Sequence, residues 1–323
     1  MNLSKHDFPP QSAGASAGVV STGAAEFVDR AERVEEDPIL TLTDRGWEAV
    51  LLTPQAISAV ETGKVLFLPN LSFALSEAEH AFLIPEIRDS KYRNISLDGS
   101  GRLKGANGDA ATQAELAAML GRFRLQAQGL ITSMLPHYAE ALRLAPTSYR
   151  PAKVESRAQS WRADDRRLHV DAFPSRPNRG ERILRVFTNI NPHDVPRVWR
   201  VGESFEAVAR HFLPRAKSYS RWQSTCLHAL RVTKSRRSEY DHLMLQLHDG
   251  MKSDLDYQQD ARQTTIDFPS GSTWICFSDQ TSHAVMSGQY LLEQTFHLLP
   301  SSQYDPGSSP LAILSRLTNR SLI

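Results

Sequence analysis

Residues 166–192 read "RRLHVDAFPSRPNRGERILRVFTNINP", and two features of this stretch decide the fold. His169 and Asp171 stand two positions apart, alternating with Leu168 and Val170. On a strand, side chains at i and i+2 share a face, so an imidazole nitrogen and a carboxylate oxygen project together. Farther on, "RILRVFTNI" alternates again. Ile183, Arg185, Phe187 and Asn189 share one face, and Leu184, Val186 and Ile190 take the other. A strand apolar on both faces, bounded by Pro, Gly and Asn, belongs inside a layered β core.

The text on the C-terminal side continues in the same way. "RVWRVG", "HLMLQLHDGM", "TTIDFP", "STWICFSD", "SHAVMSG" and "YLLEQTFHLL" are short strand-like runs, and "FPSGSTW" is a tight turn. Many short strands so punctuated indicate a sandwich or jelly-roll barrel. "GESFEAVARHFLPRA" and "TKSRRSEYDHLML" read as helical insertions. On the N-terminal side "KVLFLPN" resembles a strand, and "LSEAEHAFLIPEI" opens with a Ser76/Glu79 helix-capping pair. Residues 90–110 read as a loop. "ATQAELAAMLGRFRLQAQGLITSMLPHYAEAL" is a long helix interrupted near Pro136, with Leu116, Met119, Leu120 and Phe123 on one face. The expected organisation is an α+β chain: a mobile arm over 1–35, a mainly helical part over 36–148, and a β core over 149–323. The last two form one compact domain.

Composition sets limits on function. Of 323 residues 41% are hydrophobic and 23% charged, as in ordinary globular proteins. No apolar run approaches the roughly 20 residues that span a bilayer, no signal-peptide pattern opens the chain, and no amphipathic anchor stands out. Cys226 and Cys276 form no metal-binding spacing, so a reducing cytoplasm is expected. Charge is uneven. Residues 150–237 hold 17 Arg and 3 Lys against 8 acids, a local +12, while the whole chain carries +1. Such a field favours an anionic partner. Without a nucleic-acid-binding motif, nucleic acid is excluded as that partner.

A pair of ligands needs a third. His283 follows Asp171 by 112 residues, in "WICFSDQTSHAVMSGQ". Two histidines and one carboxylate on one side of an ion, the other side open, form the facial triad of non-haem Fe(II) oxygenases. His193 lies in a Pro-flanked turn, His297 reads as a core imidazole, and His242 and His248 remain reserve ligands. A metal-free jelly-roll module binding anionic glycolipid is the competing class; no general-base carboxylate announces a zinc hydrolase.

"HVDAF…GERILRVFTNINP…PRVWRVGESF", with "SDQTSHAVMSGQYLLEQTFHL" downstream, resembles the Kdo hydroxylase family, over about residues 40–300. Those enzymes are Fe(II)/2-oxoglutarate dioxygenases that hydroxylate 3-deoxy-D-manno-oct-2-ulosonic acid (Kdo) at C3, on the sugar attached to lipid A. The resemblance implies a double-stranded β-helix core, cupin-like and flanked by helices. It places iron on His169, Asp171 and His283, with O2 and 2-oxoglutarate consumed and succinate and CO2 released. Many such enzymes hold the co-substrate's distal carboxylate with an arginine shortly after the second histidine, but no Arg or Lys lies between His283 and Arg316. Arg185 is the expected clamp, with Asn189, Arg197 and Gln294 as further co-substrate contacts; an internal ion pair of Arg185 with Glu181 or Glu293 is the alternative. Arg150, Arg157, Arg162, Arg166 and Arg167 are expected to line the mouth for Kdo-lipid A. A cytoplasmic enzyme, peripheral on the inner membrane, follows from such a substrate. Another anionic glycan or a protein side chain would suit the same iron.

Overall fold

The computed structural model describes residues 37–48, 51–155 and 159–323. The expected N-terminal arm and Arg157 lie outside the described residues. Among the described residues eleven strands make two sheets. The larger contains β1 (Ile39–Thr41), β2 (Val65–Leu68), β3 (Ile95–Leu97), β4 (Leu103–Lys104), β5 (Arg143–Arg150), β6 (Arg182–Asn189), β9 (Thr273–Phe277) and β11 (Leu291–Leu298). Its order is β1-β2-β9-β6-β11-β5-β3-β4, parallel only between β1 and β2. The smaller sheet contains β7 (Arg197–Val201), β8 (Thr264–Phe268) and β10 (His283–Ser287) in the order β10-β7-β8.

Alternation divides these strands between two apolar layers. Phe187 of β6, Trp199 of β7, Phe268 of β8 and Trp274 of β9 fill the space between the sheets, with Phe268 and Trp274 stacked 4.1 Å apart. Leu184, Val186, Ile275, Phe277 and Phe296 face outward from the large sheet. They pack against Ala127, Leu130, Ile131 and Met134 of α2 (Ala110–Met134), beside α1 (Pro54–Glu61). Asp109 caps α2 by accepting from Thr112 N, and the helix stops before Pro136. The outer side of the small sheet is covered by α3 (Phe205–Phe212), α5 (Glu239–Ser253) and α7 (Pro310–Thr318). Two further helices, α4 (Arg221–Ala229) and α6 (Leu255–Asp260), flank α5 in sequence. The architecture is the expected jelly roll flanked by helices. Residues 38–323 form one compact unit.

Several local expectations need correction. "HLMLQLHDGM" is not a strand but most of α5. Its alternating Leu243, Leu245 and Leu247 mimic a strand, but Tyr240, Met244, Leu247 and Met251 follow helical spacing, and Ser238 with Asp241 forms a complete capping box. "RLHVDAF" forms no regular strand; it touches the sheet at one bridge, His169 to His283. Residues 36–148 carry, beside the expected helices, strands β1 to β4 and most of β5, with β3 and β4 inside the expected loop. Strand β5 crosses the expected boundary at 148/149. It reads poorly because Pro146 interrupts it, and its pairing with β11 shifts register opposite Gln294–Phe296, where a missing N–H is tolerated.

Candidate metal centre

His283 begins β10, and backbone bonds set the other two residues against it. His169 N donates to His283 O (3.0 Å), His283 N donates to His169 O (2.9 Å), and Asp171 N donates to Ser278 O (2.8 Å). Leu168 and Val170 turn into the apolar layer beneath α3 and α5, which sends His169 and Asp171 to the opposite side. One ligand atom from each of His169, Asp171 and His283 lies within 4.8 Å of the other two. His169 Nε2 is 3.8 Å from Asp171 Oδ1. All three residues are at least nine-tenths buried.

Both imidazoles are pre-set for ligation. His169 Nδ1 lies 2.8 Å from Arg167 O, and His283 Nδ1 lies 2.8 Å from Thr281 O. A carbonyl only accepts, so each Nδ1 carries the proton and each Nε2 keeps its lone pair. Burial pushes the pKa of both histidines below the usual value. Burial also acts to raise the Asp171 carboxyl, but the Arg185 guanidinium beside it outweighs burial and holds the group ionised, well below the usual range. Asp171 Oδ2 is buried with no hydrogen bond, although Arg185 Nη2 sits 2.8 Å away. The ion pair is close but misaligned for a hydrogen bond. Two neutral nitrogens and a carboxylate oxygen with spare lone pairs suit a divalent first-row ion such as Fe(II). Trp199 stacks against His283 at 5.0 Å, and His248 meets the His169 ring edge-on at 5.6 Å, so the rings are fixed from both sides.

The triad lines a cavity of about 550 Å³. Arg185 in its wall pairs with Asp171 and, at 3.3 Å, with Glu293 of β11. Glu293 also accepts from Arg150, and this pairing keeps its carboxyl ionised against the opposing effect of burial. The Nε atoms of Arg150 and Arg185 and Nε1 of Trp199 are buried without hydrogen-bond acceptors. Unmet donors of this kind suit an anionic, oxygen-rich guest.

The family model of 3-deoxy-D-manno-oct-2-ulosonic acid (Kdo) hydroxylase matches residues 48–321. The chain belongs to the Kdo hydroxylase family. It is 44% identical to a protein whose crystal structure is described as the Kdo hydroxylase KdoO, a non-heme Fe(II) alphaketoglutarate dependent dioxygenase, in complex with alphaketoglutarate and Fe(III). That match covers 89% of this chain and 98% of the other, with a TM-score of 0.85. The cobalt(II) complex and the apo form of KdoO match at the same identity and coverage, each with a TM-score of 0.86. No curated protein matches the chain.

Within this family member the expected site residues fall into three groups. His169, Asp171 and His283 converge, and Arg150, Arg162, Arg185 and Arg197 line the same cavity. Others sit outside it. Asn189 uses its amide on Val195 O, Phe268 O and Asn191 N, closing the turns at the end of β6. Gln294 points to the other face of β11, where Thr147, Ala145 O and the Thr295 carbonyl use both ends of its amide. Neither is among the cavity-lining residues, so both co-substrate assignments are corrected: alternation places Gln294 opposite Glu293, and the turn consumes Asn189. Arg166 pairs with Asp164, and Arg167 donates to Lys252 O; neither lines the cavity. The reserve ligands His242 and His248 lie on α5 at the cavity wall, outside the ligand cluster. Sequence reasoning missed Arg93, Asp165, Trp199 and Lys252, all of which line the cavity, whereas Glu293 forms with Arg185 the ion pair that stood as the alternative to the clamp.

Proposed function

We propose that the protein is an Fe(II)/2-oxoglutarate-dependent dioxygenase that hydroxylates Kdo at C3 while the sugar is attached to lipid A. The observation that carries the reading is the convergence of His169, Asp171 and His283 on one buried point with both imidazole Nε2 atoms free. Those three atoms would hold Fe(II). Bound Fe(II), with 2-oxoglutarate, supplies the activation of O2 and the oxidation of the sugar C–H bond, releasing succinate and CO2. The chain's own contribution is orientation and charge. Arg185, Arg150 and Arg197 set a positive wall beside the triad for the co-substrate's carboxylates. Arg185 stands between Asp171 and Glu293, so it can shift towards a bound carboxylate without leaving its charge unopposed. Trp199 stacks on His283 and steadies that ring, and Arg93, Arg162 and Lys252 give the outer cavity the sign that suits an acidic sugar on a phosphorylated lipid.

The same reading places the enzyme in the cytoplasm, peripheral on the inner membrane where a lipid-borne sugar would be met. Two free cysteines agree with a reducing compartment. Among the described residues no helix is long and apolar enough to cross a membrane. The test is succinate formation with Fe(II), 2-oxoglutarate and three acceptors: Kdo-bearing lipid A, free Kdo and peptides. Kdo linked to the lipid A sugar backbone is expected to gain one oxygen by mass spectrometry, and free Kdo and peptides none. Equal turnover of a peptide, or oxygen placed on another sugar carbon, would refute the assignment.

A further inference from the structure

Between α3 and α5 the chain carries a segment of which only Arg237 reaches the cavity, among the described residues. Residues 215–237, "RAKSYSRWQSTCLHALRVTKSRR", hold seven Arg and Lys and no acid. The segment contains α4 and exposes three large apolar side chains: Trp222 at 78%, Leu230 at 74% and Val232 at 54%. Arg215 pairs with Asp254, but Arg221, Arg231, Lys234 and Arg236 have no carboxylate partner among the described residues. Exposed Trp and Leu set among unpaired cations would be a liability on a protein facing only water. They are the composition of an interfacial anchor.

The segment is also tied to the mouth of the cavity. Its two ends are drawn together where Tyr219 Oη and Ser224 Oγ both donate to Arg237 O. Lys234 N donates to Ser175 O, and Arg237 Nη2 donates to Pro174 O. Arg237, Phe173 and Pro174 in turn line the cavity that holds the triad. A surface that held Trp222 and Leu230 would therefore lie beside the entrance through which the sugar arrives.

We infer that residues 215–237 dock the enzyme on an anionic phospholipid bilayer, Trp222, Leu230 and Val232 entering the headgroup region and the arginines meeting lipid phosphates. The inference rests on the reading that the sugar is presented on a lipid. Docking confines the search for a membrane-borne substrate to two dimensions and sets the cavity mouth at headgroup height. The sign of the segment favours a bilayer over a protein partner, because seven cations without one acid match a continuous sheet of phosphate.

The test uses the full-length protein and vesicles of phosphatidylcholine with and without about one-third phosphatidylglycerol, a content that gives an attractive surface potential. The wild type is expected to sediment with the anionic vesicles alone and to be released by high salt. Neutralising Arg221 and Arg231 with glutamine should weaken partitioning about fivefold for each charge. Trp222→Ser with Leu230→Ser should weaken it by about tenfold or more. All variants should keep the wild-type melting temperature and wild-type turnover of a deacylated, water-soluble Kdo saccharide, since none of these residues lines the cavity. Wild type that ignores anionic vesicles, that binds only vesicles carrying lipid A, or whose double variants partition unchanged would overturn the docking surface. Loss of turnover on every Kdo substrate with docking intact would instead overturn the substrate reading.

Discussion

Replacing Arg185 by methionine removes the one cation shared by the metal-binding carboxylate and its buried neighbour. Arg185 Nη2 lies 2.8 Å from Asp171 Oδ2, and Nη1 lies 3.3 Å from Glu293 Oε1. At an effective dielectric of about 20 these pairs attract by about 6 and about 5 kcal/mol. Dehydrating the guanidinium offsets several kcal/mol of that sum, so losing the partner should cost the metal-free protein about 3–5 kcal/mol. Glu293 keeps Arg150, whereas Asp171 keeps only neutral imidazoles, so most of the loss falls on Asp171. A divalent ion can replace the missing charge. Fe(II), or Co(II) in its place, should therefore stabilise Arg185→Met more than wild type in urea titrations, while 2-oxoglutarate affinity stays low. Arg185→Lys separates charge from shape: it should recover most of the stability but not the co-substrate affinity, because an ammonium offers no planar fork. A loss below about 1 kcal/mol that is insensitive to metal would refute this account of how the centre is balanced.

Other perturbations test the triad, its titration and its support. His283→Gln should lower metal affinity by more than about 100-fold, beyond what loss of an outer partner does, and abolish the visible band of the Fe(II)–2-oxoglutarate chelate, with the circular dichroism unchanged. Metal-free stability should fall in acid: burial holds His169, His283 and His297 below their usual 6.5. The folded chain keeps these bases neutral while the unfolded chain takes up protons. Their contribution is thus intact above about pH 6.5 and lost as pH drops below it, by up to about 4 kcal/mol per pH unit for three groups, measurable by denaturation at stepped pH. Gly288→Ala should cost about 1–3 kcal/mol and raise the KM for 2-oxoglutarate. Gly288 has φ +118°, and a Cβ there would stand 2.7 Å from Arg197 Cδ and 3.1 Å from its Cα, displacing a cavity wall residue.

What the sequence disclosed was governed by period, and what it concealed was governed by contacts between distant segments. The alternation of β6 separated Arg185 and Phe187 from Leu184 and Val186, and the structure gives Phe187 to one apolar layer and Leu184 and Val186 to the other. The same rule brought His169 and Asp171 to one side although "RLHVDAF" is no strand, since a single bridge to His283 and one bond to Ser278 impose the local alternation. Alternation failed where two periods coexist, as in α5, and where a proline hides a strand, as in β5. Asn189 and Gln294 were misplaced for a different reason: a polar residue beside a predicted ligand has no fixed role until the groups that claim its amide are known. In both cases backbone carbonyls made that claim. Arg93 on one loop and Lys252 on a helix reach the same cavity from segments 159 positions apart, and neither belongs to a local pattern. The metal centre could be read from sequence because its ligands keep the period-two spacing that the bridge to β10 imposes; the outer part of the cavity, with Arg93 on a loop and Lys252 on α5, acquires its meaning only after folding.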